Sequence, residues 1–373
     1  MASPDPRPVV LVAIDWYLPA YRAGGPIRSV ANLVAALGDD LDFRIVCGDR
    51  DLSAADPLPV EMDQWQPRDK ASILYLPRAQ WTASRWSALL REVQPDRLYL
   101  NSLYSGPFSR LPWRVARDMD VPTTLAPRGM LGAGALSVKP WRKRAWLWMQ
   151  KLTGAYRDIR WHASTEQEAD EIRAWFPDAT VDVALNLPVP FNPAPLTREP
   201  GTLRILSVGR IHPIKNYRFG LEVAESLVQD GVTVQYRIVG PIEEAQEAER
   251  LKAQAAAVQL ELVGGVPPTE TRDHFAWADL VLVPSFNENF GHAVAEAVAT
   301  GRPALVSDQT AWSALDPGPS VRCLPLDLGR WTHAAGDLLA MPVDDLLRTS
   351  EDTHHRCLLT QGHLTDQRAL FEP

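Results

Sequence analysis

Between Ala278 and Val306 the chain runs through an apolar stretch, a loop, a short helical stretch and a second apolar stretch. Leu280-Val-Leu-Val283 reads as a buried strand, the segment from Asn287 to Ala297 as a loop that feeds a helix, and Ala304-Leu-Val306 as the next strand. Strand, helix, strand in that order is the unit of a parallel sheet. A loop feeding a helix N-terminus at the C-terminal edge of such a sheet suits a phosphorylated or polyhydroxylated ligand. Glu288 in the loop and Glu296 in the helix flank this entry, and carboxylates accept hydrogen bonds from sugar and ribose hydroxyls.

The same alternation recurs along the chain. Val9–Ile14 reads as a first strand, then Ala23-Gly-Gly-Pro26 as a loop and Ile27–Leu37 as a helix closed by Gly38. Phe43–Cys47, Ser72–Leu76, Arg97–Leu100, Thr123–Ala126 and Trp161–Ala163 follow as strands with helical patterns between most of them. Asn186–Gly201 carries five prolines, which bars regular structure and marks a linker. Beyond it the pattern restarts with strands Leu203–Val208, Val234–Val239 and Leu260–Val263, and helices Asn216–Gln229 and Glu243–Ala257. The 373 residues therefore divide into an N-terminal domain over 1–190, a second over 201–350, and a C-terminal segment, 351–373, that reads as a helix. Each domain is a Rossmann-like, doubly wound parallel α/β sheet.

A net charge of −8 argues against nucleic acid as a partner. Cys47, Cys323 and Cys357 give neither a disulfide framework nor metal-ligand spacing, and no apolar stretch reaches membrane-spanning length. A cytoplasmic protein is expected. Asp118-Met-Asp120 could suggest a metal site, but it ends a helical pattern before Val121-Pro122, as a solvated turn does. Asp352, His354 and His355 read as surface residues.

The second domain opens with Val208-Gly-Arg-Ile-His-Pro-Ile-Lys-Asn216. Arg210 offers a planar fork and Lys215 a point charge, both expected on an exposed loop, and together they could clamp a diphosphate. Here the chain resembles the retaining glycosyltransferases of family 4, of GT-B fold. The resemblance rests on Gly209-Arg210-x4-Lys215-Asn216 and on Glu288-x7-Glu296 beginning Glu-Asn-Phe-Gly. Gly24-Gly-Pro26, Ala126-Pro-Arg-Gly-Met-Leu131, Ala163-Ser-Thr-Glu-Gln-Glu168 and Ser307-Asp-Gln-Thr-Ala-Trp312 support it. It implies two domains facing a central cleft. It implies catalytic roles for Arg210, Lys215 and Glu288, the cations on the leaving diphosphate and the carboxylate on the transferred sugar. Gly24, Gly25, Gly265, Val266, Asn289, Phe290 and Gly291 would line the donor, and Glu296 would accept from its ribose. No metal or other cofactor is implied. The co-substrate would be a nucleotide-sugar, a UDP-sugar ahead of a GDP-sugar, and the acceptor a saccharide or lipid-linked glycan of surface polysaccharide assembly.

Many members of that family carry a histidine where this chain has Arg128, as in a Pro-Arg-Gly-Met subset. Arginine is no general base at neutral pH, so Arg128, with Asn101 and His292, is assigned to acceptor or phosphate contacts. The alternatives are a nucleotide-sugar 2-epimerase or hydrolase on the same fold, and a non-catalytic nucleotide-sugar binding protein. The stretch from Lys139 to Lys151 is basic and carries tryptophans at helical spacing. It reads either as a helix packed into its own domain or as peripheral membrane contact over 139–157, on the inner face of the cytoplasmic membrane.

Overall fold

The protein is described by a computed structural model covering residues 7–137 and 140–372. Lys139 lies outside the described residues. The chain forms two compact units, the first up to Leu187 together with the chain from Gln361 onward, the second from Pro188 to Thr360.

The first unit contains β1 (Val9–Ala13), α1 (Gly25–Leu37), β2 (Asp42–Gly48), β3 (Trp65–Arg68), β4 (Ala71–Leu76), α2 (Ala83–Val93) and β5 (Arg97–Leu100). It continues with α3 (Leu111–Arg117), β6 (Thr123–Leu125), α4 (Ala133–Ser137), α5 (Pro140–Leu152), β7 (Arg160–Ala163), α6 (Glu166–Trp175) and β8 (Thr180–Val183). The eight strands order as β3-β4-β2-β1-β5-β6-β7-β8, parallel except for the edge strand β3. β3 escapes the sequence pattern because Trp65-Gln-Pro-Arg68 holds no apolar run, and an edge is where a sheet tolerates proline. The strand order reverses direction between β1 and β5, and ligands of open α/β sheets bind at such a switch point. Trp86 and Trp161 are fully buried and Trp113 stacks on Tyr156 at 4.2 Å, so these tryptophans are core.

The second unit contains β9 (Thr202–Val208), α7 (Tyr217–Gln229), β10 (Thr233–Val239), α8 (Ala245–Gln254), β11 (Gln259–Gly264), α9 (Pro268–Trp277) and β12 (Leu280–Val283). It ends with α10 (His292–Ala299), β13 (Ala304–Ser307), β14 (Val321–Leu324), α11 (Leu328–Ala340) and α12 (Val343–Thr353). Its six parallel strands order as β11-β10-β9-β12-β13-β14, with the switch point between β9 and β12.

The proline-rich stretch is irregular but anchored. Arg302 is fully buried and donates to the carbonyls of Ala194 at 3.1 Å, Pro195 at 2.7 Å, Phe275 at 2.9 Å and Ala276 at 2.9 Å. A guanidinium that meets only carbonyl oxygens satisfies its donors without a carboxylate. Asp352 and His355 are exposed, but His354 is fully buried, contrary to its expected surface position. Its Nε2 lies 2.7 Å from the Val189 carbonyl, so the ring ties the end of α12 to the linker, and burial depresses its pKa. The second unit accordingly runs past residue 350 to Thr360. A last helix, α13 (Gln361–Ala369), belongs to the first unit, where Gln367 donates to the Leu185 carbonyl at 2.8 Å. Asp118 and Asp120 lie in the turn that closes α3.

Candidate active site

In the second unit the polar residues gather at the switch point. β9 ends at Val208, and Gly209 follows at φ 150°, where a Cβ would meet the Tyr217 hydroxyl at 2.9 Å. A Cβ on Gly240 would fall 2.0 Å from the Gly209 carbonyl oxygen, so the two strand ends approach backbone to backbone. The loop then turns through Pro213–Lys215, capped by His212, whose Nδ1 accepts from the Ile214 amide at 3.1 Å. The cap fixes Nδ1 as the unprotonated nitrogen. Asn216 sits in the left-handed region at φ 52° and starts α7, a place asparagine tolerates.

That turn carries Lys215 toward the loop after β12. Its ammonium pairs with the Glu288 carboxylate, which also accepts from the Ser285 hydroxyl at 3.0 Å. The Phe286 amide donates to the Ile214 carbonyl at 2.9 Å and ties the two loops together. Lys215 and Glu288 are only 17% and 15% exposed, so Lys215 is not the free surface cation the sequence suggests. The ammonium has three donors and Glu288 takes one, leaving capacity for a second anion. Arg210 differs: it pairs with Glu243 at 2.6 Å with both side chains more than two-fifths exposed, a pair that an incoming anion can displace cheaply.

Gly291 caps α10 at φ 76°, and a Cβ there would meet Trp312 Nε1 at 2.9 Å. The Trp312 indole donates to the Phe290 carbonyl at 2.7 Å, which fixes the loop from behind. His292 is the first residue of α10, its ring 4.8 Å from that of Phe290, and Glu296 is buried within the helix. Gly265 and Val266 follow β11 at the same edge of the sheet. Arg210, Lys215, Glu288, Asn289, Phe290, Gly291 and His292 thus come from adjacent loops at one switch point.

In the first unit, Gly24 precedes α1 at φ 70°, ψ −117°, a conformation for glycine, and Gly25 opens the helix. Nothing lies within 4 Å of a Cβ placed on Gly24, so open space stands beside it. Asn101 follows β5 and Arg128 follows β6, and the structure brings them together. Arg128 Nη2 donates to Asn101 Oδ1 at 2.7 Å and to the Tyr99 hydroxyl at 2.8 Å, and Nη1 donates to Asn186 Oδ1 at 2.5 Å. Every acceptor is neutral. Among the described residues no carboxylate pairs with Arg128, and the buried Nδ2 of Asn101 has no partner. Arg128 sits at φ 55°, a strained region for a side-chain-bearing residue, and the next residue is held by Glu168, which accepts from the Gly129 amide at 2.5 Å.

Behind Arg128 lies a relay that sequence reading missed. The Tyr99 hydroxyl is 2.7 Å from His162 Nδ1, and His162 Nε2 is 2.8 Å from the Ala184 carbonyl. A carbonyl only accepts, so Nε2 carries the proton and the Tyr99 hydroxyl donates to Nδ1. Burial, with help from the Arg128 charge, lowers the His162 pKa to about 3, so the ring is neutral. A histidine and a tyrosine inside apolar strand patterns were the signal. Asp15, just past β1, was also missed. It accepts from the Ser105 hydroxyl at 2.6 Å, and burial raises its pKa. Among the described residues no three His, Cys, Asp or Glu side chains are grouped so as to hold a metal ion.

Two doubly wound parallel sheets are the architecture of the GT-B fold. The chain belongs to the family 4 type of GT-B glycosyltransferases: residues 24–186 match the glycosyl transferase 4-like domain and residues 190–312 the glycosyl transferases group 1 family. It is 32% identical over 169 residues to a D-inositol 3-phosphate glycosyltransferase of Streptomyces bingchenggensis, covering 39% of this chain and 37% of that one. The matched part thus spans little more than a third of that relative's length. Its fold is similar to sucrose-phosphate synthase of Thermosynechococcus elongatus, at a TM-score of 0.73 and 16% identity over 98% of both chains. It is also similar to Anabaena HepE, solved in complex with UDP and glucose, at a TM-score of 0.69 and 12% identity over 98% of both chains.

Proposed function

We propose that this protein is a retaining, metal-independent glycosyltransferase that moves a sugar from a nucleotide-diphosphate sugar to a saccharide or lipid-linked acceptor. The observation that carries the reading is the Lys215–Glu288 pair, with Arg210 nearby on the same loop as Lys215, at the switch point of the second sheet. In sugar transfer the C1–oxygen bond to the diphosphate breaks and negative charge grows on the departing phosphate. Fixed cations aimed at that charge are the means by which such a site lowers the barrier. Arg210 and Lys215 supply them. Glu288, held by Lys215 and Ser285, accepts from hydroxyls of the transferred sugar, the Asn289–Gly291 backbone contacts the same ring, and Glu296 accepts from the ribose. The acceptor hydroxyl passes its proton to the leaving phosphate oxygen on the face where it attacks, which retains the anomeric configuration without a protein base.

UDP is the first choice of nucleotide, supported by the UDP in the HepE complex. The acceptor site is the Arg128 end of the first unit. An arginine without a carboxylate partner suits an acceptor that carries an anionic group, and D-inositol 3-phosphate appears in the name of a relative. Surface polysaccharide assembly would place such an acceptor on a lipid, with the enzyme peripheral at the inner face of the cytoplasmic membrane.

The test is incubation with UDP-glucose, UDP-galactose and UDP-N-acetylglucosamine and a panel of free and phosphorylated sugars, reading UDP release and the anomer formed. Acceptor-dependent UDP release with an unchanged anomer supports the reading. Sugar release that ignores the acceptor would point to hydrolysis or epimerisation, and binding without turnover to a sensor.

A further inference from the structure

Helix α5 presents its apolar side outward. Trp141, Trp148, Met149 and Leu152 are 75%, 60%, 51% and 71% exposed, and they make up half of the large hydrophobic side chains exposed among the described residues. At 3.6 residues per turn, Trp141, Ala145, Trp148 and Leu152 fall within roughly 60° of one line. Met149 widens that stripe on one side.

The opposite side holds the helix to its unit. Leu147 is fully buried, Trp146 lies against Tyr104 at 5.3 Å between ring centroids, and Lys143 donates to the Ala135 carbonyl at 2.6 Å. The outward stripe is therefore not an unfolded or misplaced core face, since α5 already packs by its other side. Arg142 flanks the stripe on one edge, and Arg144 and Lys151 flank it on the other. Residues 140–152 contain four cations and no acid, in a chain whose net charge is −8.

We infer that α5 lies in the headgroup plane of an anionic phospholipid surface, its tryptophan–leucine stripe in the acyl boundary and its flanking cations on lipid phosphates. Tryptophan on an apolar stripe bordered by Arg and Lys is the composition of an in-plane interfacial helix. Charge complementarity selects the occupant. An isologous contact with a second copy would set this basic helix against its own like charge. The inference stands on the surface of α5 and does not depend on the transferase reading.

The experiment is flotation of the full chain with vesicles of phosphatidylcholine alone and of phosphatidylglycerol mixed with phosphatidylcholine, at low salt and at high salt. Binding is expected to the anionic vesicles only, weaker in high salt because the headgroup field is screened. Arg142→Gln with Arg144→Gln and Lys151→Gln should lower partitioning on the order of a hundredfold, at about fivefold per cation. Trp141→Ala with Trp148→Ala should abolish flotation, while circular dichroism and the melting midpoint stay unchanged because both side chains are exposed. Failure of the wild type to float with anionic vesicles overturns the inference, as does flotation that survives both sets of substitutions. A dimer in light scattering that the tryptophan substitutions dissolve, with no flotation, would assign the stripe to a second copy.

Discussion

The Lys215 ammonium pairs with the Glu288 carboxylate across 73 residues of sequence, joining the loops that leave β9 and β12. A cation and an acid that the sequence presents as separate ligand groups are one unit. On the proposed reading Lys215 positions Glu288 for the sugar while keeping donors for the diphosphate.

Lys215→Ala and Arg210→Ala should therefore differ in stability though not in activity. Each should lower kcat about a hundredfold or more, the usual loss for one donor to developing charge. Lys215→Ala also leaves Glu288 short of its partner in a mostly buried place, costing about 1–3 kcal/mol. Arg210→Ala removes an exposed pair and should cost at most about 1 kcal/mol. Steady-state kinetics and melting curves on both variants check this. Near-normal turnover in either would contradict the clamp.

Glu288→Ala and Glu296→Ala should separate chemistry from nucleotide binding. The proposed reading gives Glu288 to the sugar, so its loss should fall on kcat while the Kd for free UDP stays within about twofold. The proposed reading gives Glu296 to the ribose, so its loss should weaken free UDP by roughly tenfold to a hundredfold, the worth of a hydrogen bond to a charged acceptor. Isothermal titration with UDP reads the difference, and equal losses in the two variants would undo the division.

Arg128→Lys should act on the acceptor alone. Lysine keeps the charge but cannot reach Asn101, Tyr99 and Asn186 together from one planar group. The KM for an anionic acceptor should rise tenfold or more, with UDP affinity unchanged. A matching loss of UDP affinity would move Arg128 to the donor.

His162 gives a pH signature. Its folded pKa, about 3, lies below the 6.5 of the unfolded chain. Between those values the unfolded chain binds a proton that the folded chain does not, so stability is present above about pH 6.5 and is lost as pH falls. By pH 4.5 this one group should cost the wild type about 2–3 kcal/mol relative to pH 7. Urea unfolding of wild type and His162→Gln at both pH values should show a smaller acid loss in the variant. Equal losses would mean that His162 is not held neutral.

The doubly wound sheets were legible because parallel strands, buried on both faces, read as apolar runs such as Leu280–Val283. The edge strands β3, β8 and β14 were not, since Pro67, Asp182 and Arg322 interrupt their patterns where a sheet face is partly open. The sequence motifs named the loops that meet between β9 and β12, but pairing within them depends on three-dimensional register. Nothing local says that Lys215 meets Glu288 or that Arg128 meets Asn186. His354 was misplaced because a polar neighbourhood hides a ring that packs inward to satisfy a linker carbonyl. The tryptophans of α5 were ambiguous by periodicity alone, which gives a stripe but not the direction it faces.

The central claim is a cationic, metal-free nucleotide-sugar site, and titration of the melting midpoint with UDP, GDP, ADP and dTDP, with and without EDTA, tests it most directly. At about 100 times its Kd a ligand of the folded state adds roughly 2.7 kcal/mol. The account predicts a rise with UDP that EDTA leaves unchanged and that Lys215→Ala removes. A rise abolished by EDTA, or no rise with any of the four, would contradict it.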